Sequence, residues 1–105
     1  MENPIAIVRV TAFLRYLELE KNSSLLTIQN YETDIRLFIA FLQNRVGTVT
    51  WENVTVLDIR AYLALMNNEK YARRTIARRI SSLRSFYRFL MRENFAKSNP
   101  FMKIK

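Results

Sequence analysis

The sequence predicts an all-α fold, a compact four-helix domain, on three observations. Four stretches carry apolar residues at alternating spacings of three and four, the period of an amphipathic helix. The 105 residues include one Gly and two Pro, too few for the tight turns of a sandwich or barrel. Half the residues are apolar (50%) and a quarter charged (25%), a globular mixture sized for one core.

The first helix is expected over residues 4–21. Asn3 suits its cap and Pro4 its first helical position. Ile7, Val10, Leu14 and Leu17 make one stripe, and Lys21-Asn22-Ser23 ends it. The second is expected over 25–45, with Ser24 as N-cap. Its stripe is Ile28, Tyr31, Ile35, Phe38 and Leu42, broadened by Phe41, and Gly47 is its stop. Trp51 and Val54 lie in a connection. The third helix spans 56–67, where Thr55 and Asp58 have capping-box spacing ahead of Val56, Ile59, Leu63 and Met66. The fourth spans 73–93, with Ile76, Ile80, Leu83, Tyr87 and Leu90 as its stripe. Asn99-Pro100 breaks the tail. Phe89, at the wheel angle of the arginines, and Phe95, Phe101 and Met102 are surplus to such a core; they fold back or meet a partner.

Absent residue types narrow the function. Zero Cys excludes a disulfide scaffold and a thiolate metal site. Zero His removes the commonest metal ligand and general base. There is no glycine-rich phosphate loop, and Glu32 and Asp34 do not share a helix face. No catalytic, metal or cofactor site is expected. No apolar run approaches the ~20 residues that span a bilayer, and the N-terminus lacks a basic-then-apolar signal. The expected location is cytoplasmic.

The net charge of +8 is unevenly placed. Residues 1–69 carry six basic and eight acidic groups, a net of −2. Residues 70–105 carry eleven basic groups and Glu93 alone as acid, a net of +10. Seven of those eleven are Arg between Arg73 and Arg92, with no acid among them. A solvated helix face normally interleaves acids for i,i+4 pairing, and like charges at that spacing cost stability. An anionic partner from outside offsets that cost.

On a helical wheel of the fourth helix, Arg74, Arg78, Ser81, Ser85, Arg88 and Arg92 lie opposite the stripe. Thr75 and Ser82 sit on one shoulder, Arg73 and Arg84 on the other. Short hydroxyls let the backbone approach a surface while Arg reaches to phosphates or base edges. The plain alternative is a solvated cationic face. Opposite the stripe of the second helix lie Gln29, Asn30, Thr33 and Arg36. Gln and Asn can read adenine at two points, and Thr can meet a phosphate or a thymine methyl; an ordinary polar face fits equally. Thr27, near the helix start, can hold a phosphate or take part in the cap.

Ser24-Leu25-Leu26-Thr27, Tyr31, Asp34-Ile35, Phe38 and Phe41-Leu42 resemble the N-terminal core-binding domain of Xer-type tyrosine recombinases, the phage-integrase family. The resemblance continues at Val54-Thr55, Asp58-Ile59 and Tyr62-Leu63. It is strongest from Thr75 to Leu90 (TIARRISSLRSFYRFL), then Glu93 and Asn99-Pro100. It covers residues 8–102. No single piece is specific; their order and spacing are.

The resemblance implies a SAM-like, integrase N-terminal domain-like orthogonal bundle whose second and fourth helices lie across the major groove of double-stranded DNA. A C-terminal catalytic domain closes from the other side. Carried over by position, the implied DNA contacts are Thr27, Gln29, Asn30, Thr33, Arg36, Arg74, Thr75, Arg78, Ser81 and Ser82, with Arg73 and Arg88 on flanking phosphates. Base readout is assigned to Gln29, Asn30, Arg74 and Arg78. Tyr31 and Tyr87 match core aromatics, so Tyr87 is not the nucleophile. Other recombinase protomers are implied partners, with the first helix as an assembly surface, while the isolated domain is expected to be monomeric. Residue 72 is Ala where the family often has a capping Ser, which leaves the start of the fourth helix open. The expected layout is a core-binding domain over 1–95 and the start of a linker over 96–105. The family's catalytic arginines, lysine, histidines and tyrosine would lie in an absent domain. Alone, the chain would bind DNA and cut nothing. A SAM-like protein-interaction module, anchored by Phe89, Phe95 and Phe101, is the alternative. A membrane-surface role is disfavoured because the fourth helix needs its apolar stripe for the core.

Overall fold

A computed structural model describes residues 4–104. Four α-helices and two short 3-10 segments account for its regular structure, and among the described residues there is no strand. They are α1 (Pro4–Leu19), α2 (Leu25–Val46), α3 (Val56–Asn68) and α4 (Arg73–Arg92), with 3-10 turns at Trp51–Asn53 and Pro100–Lys103. The predicted starts at residues 4, 25, 56 and 73 agree with these bounds. The predicted cap Asn3 lies outside the described residues, as does Lys105. Among the described residues no helix is long and apolar enough to cross a membrane.

The helix ends follow from local chemistry. The Ser24 hydroxyl accepts from the Thr27 N–H at 3.2 Å and opens α2. Gly47 closes it at φ 85°, donating its N–H to the Gln43 carbonyl. Both arms of the capping box at α3 are made. The Asp58 N–H donates to Thr55 Oγ1 at 3.2 Å, and the Thr55 N–H donates to Asp58 Oδ2 at 2.9 Å. Helices α3 and α4 end in the same six-residue turn. Tyr71 N–H reaches the Met66 carbonyl and Lys70 N–H that of Asn67; Phe95 N–H reaches Leu90 and Asn94 N–H reaches Met91. Such a Schellman turn needs a left-handed residue, usually Gly. This chain uses Lys70 (φ 63°) and Asn94 (φ 62°). Asn22 (φ 51°) bends the chain after α1, so the helix stops two residues before the expected 21.

The chain forms two compact units, one ending at Thr50 and one beginning at Trp51. In the first, α1 packs on α2. Ala6, Val10, Phe13 and Leu17 are buried on α1, and Ile35, Phe38, Ile39 and Leu42 on α2. The Phe13 ring meets Tyr31 edge-on at 5.4 Å. The predicted α1 stripe is turned by one position: Ile7 and Leu14 are half-buried, and Ala6 and Phe13 take the interior.

The second unit is built around Tyr87. Trp51 meets Phe86 and Tyr87 edge-on, at 4.9 and 6.1 Å, and Tyr87 lies 5.5 Å from Phe101. The Tyr87 hydroxyl donates to the Trp51 carbonyl. Its proton is held more tightly than usual, chiefly by burial and then by the Glu52 and Asp58 carboxylates. Tyr87 is wholly buried, as a core aromatic. The segment after α4 packs on this unit. Ala96, Asn99 and Phe101 are buried, and the Pro100–Lys103 turn contacts α3 and α4. Asn99 Oδ1 accepts from the Phe101 N–H at 3.0 Å and shapes that turn. Phe101 thus folds back, Phe95 is half-buried and Met102 stays exposed.

Candidate nucleic-acid interface

Helix α4 begins at Arg73 with no side-chain bond from Ala72, although Ala72 has the extended backbone of an N-cap (φ −61°, ψ 147°). The absent Ser therefore does not displace Arg73 or Arg74. Both are exposed, and among the described residues neither makes an ion pair. Arg78, Ser81, Arg88 and Arg92 are exposed along the same helix, and Thr75 and Ser85 are half-buried. Arg88 donates to Ser85 Oγ at 3.1 Å, and Arg92 pairs with Glu93 at 3.2 Å. Like charges stand four apart at Arg74 and Arg78, Arg84 and Arg88, and Arg88 and Arg92.

Two residues placed near this face by the wheel lie inside. Ser82 is 7% exposed and Phe89 6%. The buried arc of α4 takes in Ser82, Phe86 and Phe89 beside Leu83, Tyr87 and Leu90, so it is wider than the aliphatic stripe and turned away from Ile76. Ser82 is thereby removed from the exposed set of expected contacts. Arg79, half-buried, stacks over the Tyr71 ring at 4.3 Å. Arg84 binds the tail: Nε donates to the Phe101 carbonyl at 3.3 Å and Nη2 to the Ile104 carbonyl at 2.7 Å.

On α2, considered by itself, Thr27, Gln29, Asn30, Thr33 and Arg36 are all exposed. The Thr27 Oγ1 accepts from the Ser24 hydroxyl at 2.9 Å, which ties Thr27 to the cap. Arg36 is paired. Its Nε donates to Glu32 Oε2 at 3.0 Å, one turn earlier. Glu32 was not singled out for this face, though its i,i+4 spacing from Arg36 is a readable signal.

A family model described as phage integrase, N-terminal SAM-like domain, matches residues 10–94. Among curated proteins, the chain is similar to tyrosine recombinase XerC of Oceanobacillus iheyensis, 40% identical over 95 residues, or 90% of this chain and 31% of the relative. It is 44% identical over 93 residues to XerC of Halalkalibacterium halodurans, covering 89% of this chain and 30% of the relative. To XerC of Listeria monocytogenes it is 48% identical over 92 residues, 88% of this chain and 30% of the relative. The chain thus spans about 30% of the length of these relatives. No solved structure matches it.

Proposed function

We propose that this chain, which belongs to the phage integrase N-terminal SAM-like domain family, is the DNA-binding part of a site-specific tyrosine recombinase. In this reading it holds duplex DNA at a recombination half-site with the exposed faces of α2 and of α4. One observation carries it: α4 presents Arg74, Arg78 and Arg88 with the small Ser81 between them, on a helix with seven Arg and no acid. A face built only for water would carry acids against that repulsion. A face built for a polyanion gains from each cation, because every neutralised phosphate releases counterions.

Phosphate contacts come from Arg73 and Arg88, and from Thr27 at the start of α2. Gln29, Asn30, Thr33, Arg36, Arg74, Thr75, Arg78 and Ser81 supply the remaining contacts, some to base edges. The recombinase would exchange strands through a phosphotyrosine intermediate formed by residues outside these 105, working on cytoplasmic DNA with other protomers. Tyr87 serves the core and not the chemistry.

Fluorescence anisotropy over a salt series tests this, with one duplex bearing a candidate recombination half-site and one scrambled. Salt-sensitive binding, tighter on the half-site, is expected. Salt-sensitive but indifferent binding would keep the grip and move sequence choice elsewhere in the recombinase. No binding at low salt would overturn the reading and favour a protein-interaction module. For that second reading the expected anchors Phe89 and Phe101 are buried; exposed Ile5, Val8, Leu19, Leu25 and Leu26 support it instead. It predicts a complex that survives high salt.

A further inference from the structure

We propose that Glu32 is a specificity-determining residue: by holding Arg36 it keeps that guanidinium from serving as a phosphate grip and reserves it for a guanine edge. The inference rests on the DNA reading above. The pair is at the water boundary, with side chains 38% and 43% exposed, on the same helix as the exposed Gln29, Asn30 and Thr33. Those three are uncharged, and their amides and hydroxyl match base edges as well as phosphates. The other charges of α2 are Asp34, which is buried, and Arg45 in the last turn. The middle of the exposed face is therefore electrically neutral, whereas α4 has seven Arg and no acid.

The physics separates two kinds of DNA contact. A carboxylate 3.0 Å from a guanidinium cancels its field at a distance, so Arg36 exerts little pull on the phosphate backbone. A phosphate that approaches closely also meets the repulsion of Glu32. The O6 and N7 edge of guanine accepts two hydrogen bonds and carries no net charge, so Glu32 penalises it far less. Fixing Nε further limits the rotamers of Arg36 and lowers the entropy lost on docking. Arg73 and Arg74, with no ion pair among the described residues, have no such restraint.

The test uses the whole 105-residue chain as wild type, Glu32→Gln, Arg36→Ala and the double variant, with helicity checked by circular dichroism. Each protein selects from a duplex pool with a randomised core. Affinity is then measured across a salt series on the wild-type winner and on a scrambled duplex. Wild type is expected to enrich a G at one position. Glu32→Gln is expected to tighten scrambled-duplex binding by roughly 2- to 5-fold, to steepen the salt slope by up to about one phosphate, and to flatten that G preference. Arg36→Ala flattens the same position, and Glu32→Gln then has no further effect on preference. Should the Gln variant lose helix, Glu32→Ala serves with the same readouts. If the variant tightens every duplex alike and leaves the motif unchanged, Glu32 is a brake on affinity alone and the proposal is overturned. It is equally overturned if the variant changes nothing, or if wild type binds without enriching any position, which leaves the grip intact. No binding by wild type at low salt defeats the DNA reading itself, a distinguishable failure.

Discussion

Arg84 and Asn99 bind each other's segments in both directions. The Arg84 carbonyl accepts from Asn99 Nδ2 at 3.2 Å, while the Arg84 guanidinium donates to the carbonyls of Phe101 and Ile104, just past Asn99. An arginine from the flank of the cationic face thus closes the tail onto its helix. Arg84→Ala leaves two carbonyls without this donor and is expected to destabilise the second unit by about 2–3 kcal/mol. The amides of Phe101, Met102 and Ile104 should lose exchange protection first, which hydrogen exchange read by mass spectrometry checks. Arg84→Lys, with its single ammonium, should recover part of the loss.

Two helix ends leave room for improvement. Ala72 already has the backbone of an N-cap, so Ala72→Ser is expected to add about 1 kcal/mol by accepting a free N–H of α4. Lys70 is left-handed at the end of α3, where Lys70→Gly is expected to add about 0.5–1 kcal/mol by removing the Cβ conflict. Urea unfolding should show a raised midpoint and an unchanged slope for each.

Tyr87 predicts an alkaline limit. Its proton is held above the ordinary tyrosine value of about 10, first by burial and then by Glu52 and Asp58. The folded state therefore keeps a proton that the unfolded chain releases. Stability is fully present below about pH 10 and falls as pH rises beyond it. Tyr87→Phe should remove this term while costing about 1–3 kcal/mol at neutral pH, because the Trp51 carbonyl loses its donor. Denaturant midpoints at neutral pH and above pH 10 separate the two effects.

The cationic face divides by environment. Arg73→Ala and Arg88→Ala are expected to weaken every duplex similarly and to lower the salt slope by about one each. Arg79→Ala removes a cation stacked on Tyr71, so it should lower stability with little change in slope. Anisotropy over a salt series, beside thermal melts, distinguishes the groups.

The helices were legible because their signals are local. Ser24, the Thr55 and Asp58 pair and Gly47 each act within one turn, and the apolar period covers the rest. What was misread depends on packing. Along α1, Val10 and Leu17 belong to two adjacent stripes, and only the fold selects Ala6 and Phe13 over Ile7 and Leu14 as their companions. Along α4, Phe86 and Phe89 widen the buried arc until it takes in Ser82, which a wheel centred on aliphatic residues assigns to the shoulder. The partners of Arg84 lie 17 and 20 residues away, beyond any local pattern. The tie between Glu32 and Arg36 could be read from spacing alone.

The three like-charged pairs along α4 make the ligand part of the unit's own thermodynamics. Each pair destabilises the free helix by about 0.2–0.5 kcal/mol, and any polyanion that neutralises them relieves that strain as it binds. In the proposed reading folding and binding are linked: duplex DNA is a ligand of the folded state alone and is expected to raise the melting temperature in proportion to the logarithm of its concentration. Moderate salt alone should imitate the first part of that rise by screening the repulsion, then abolish the second by driving the duplex off.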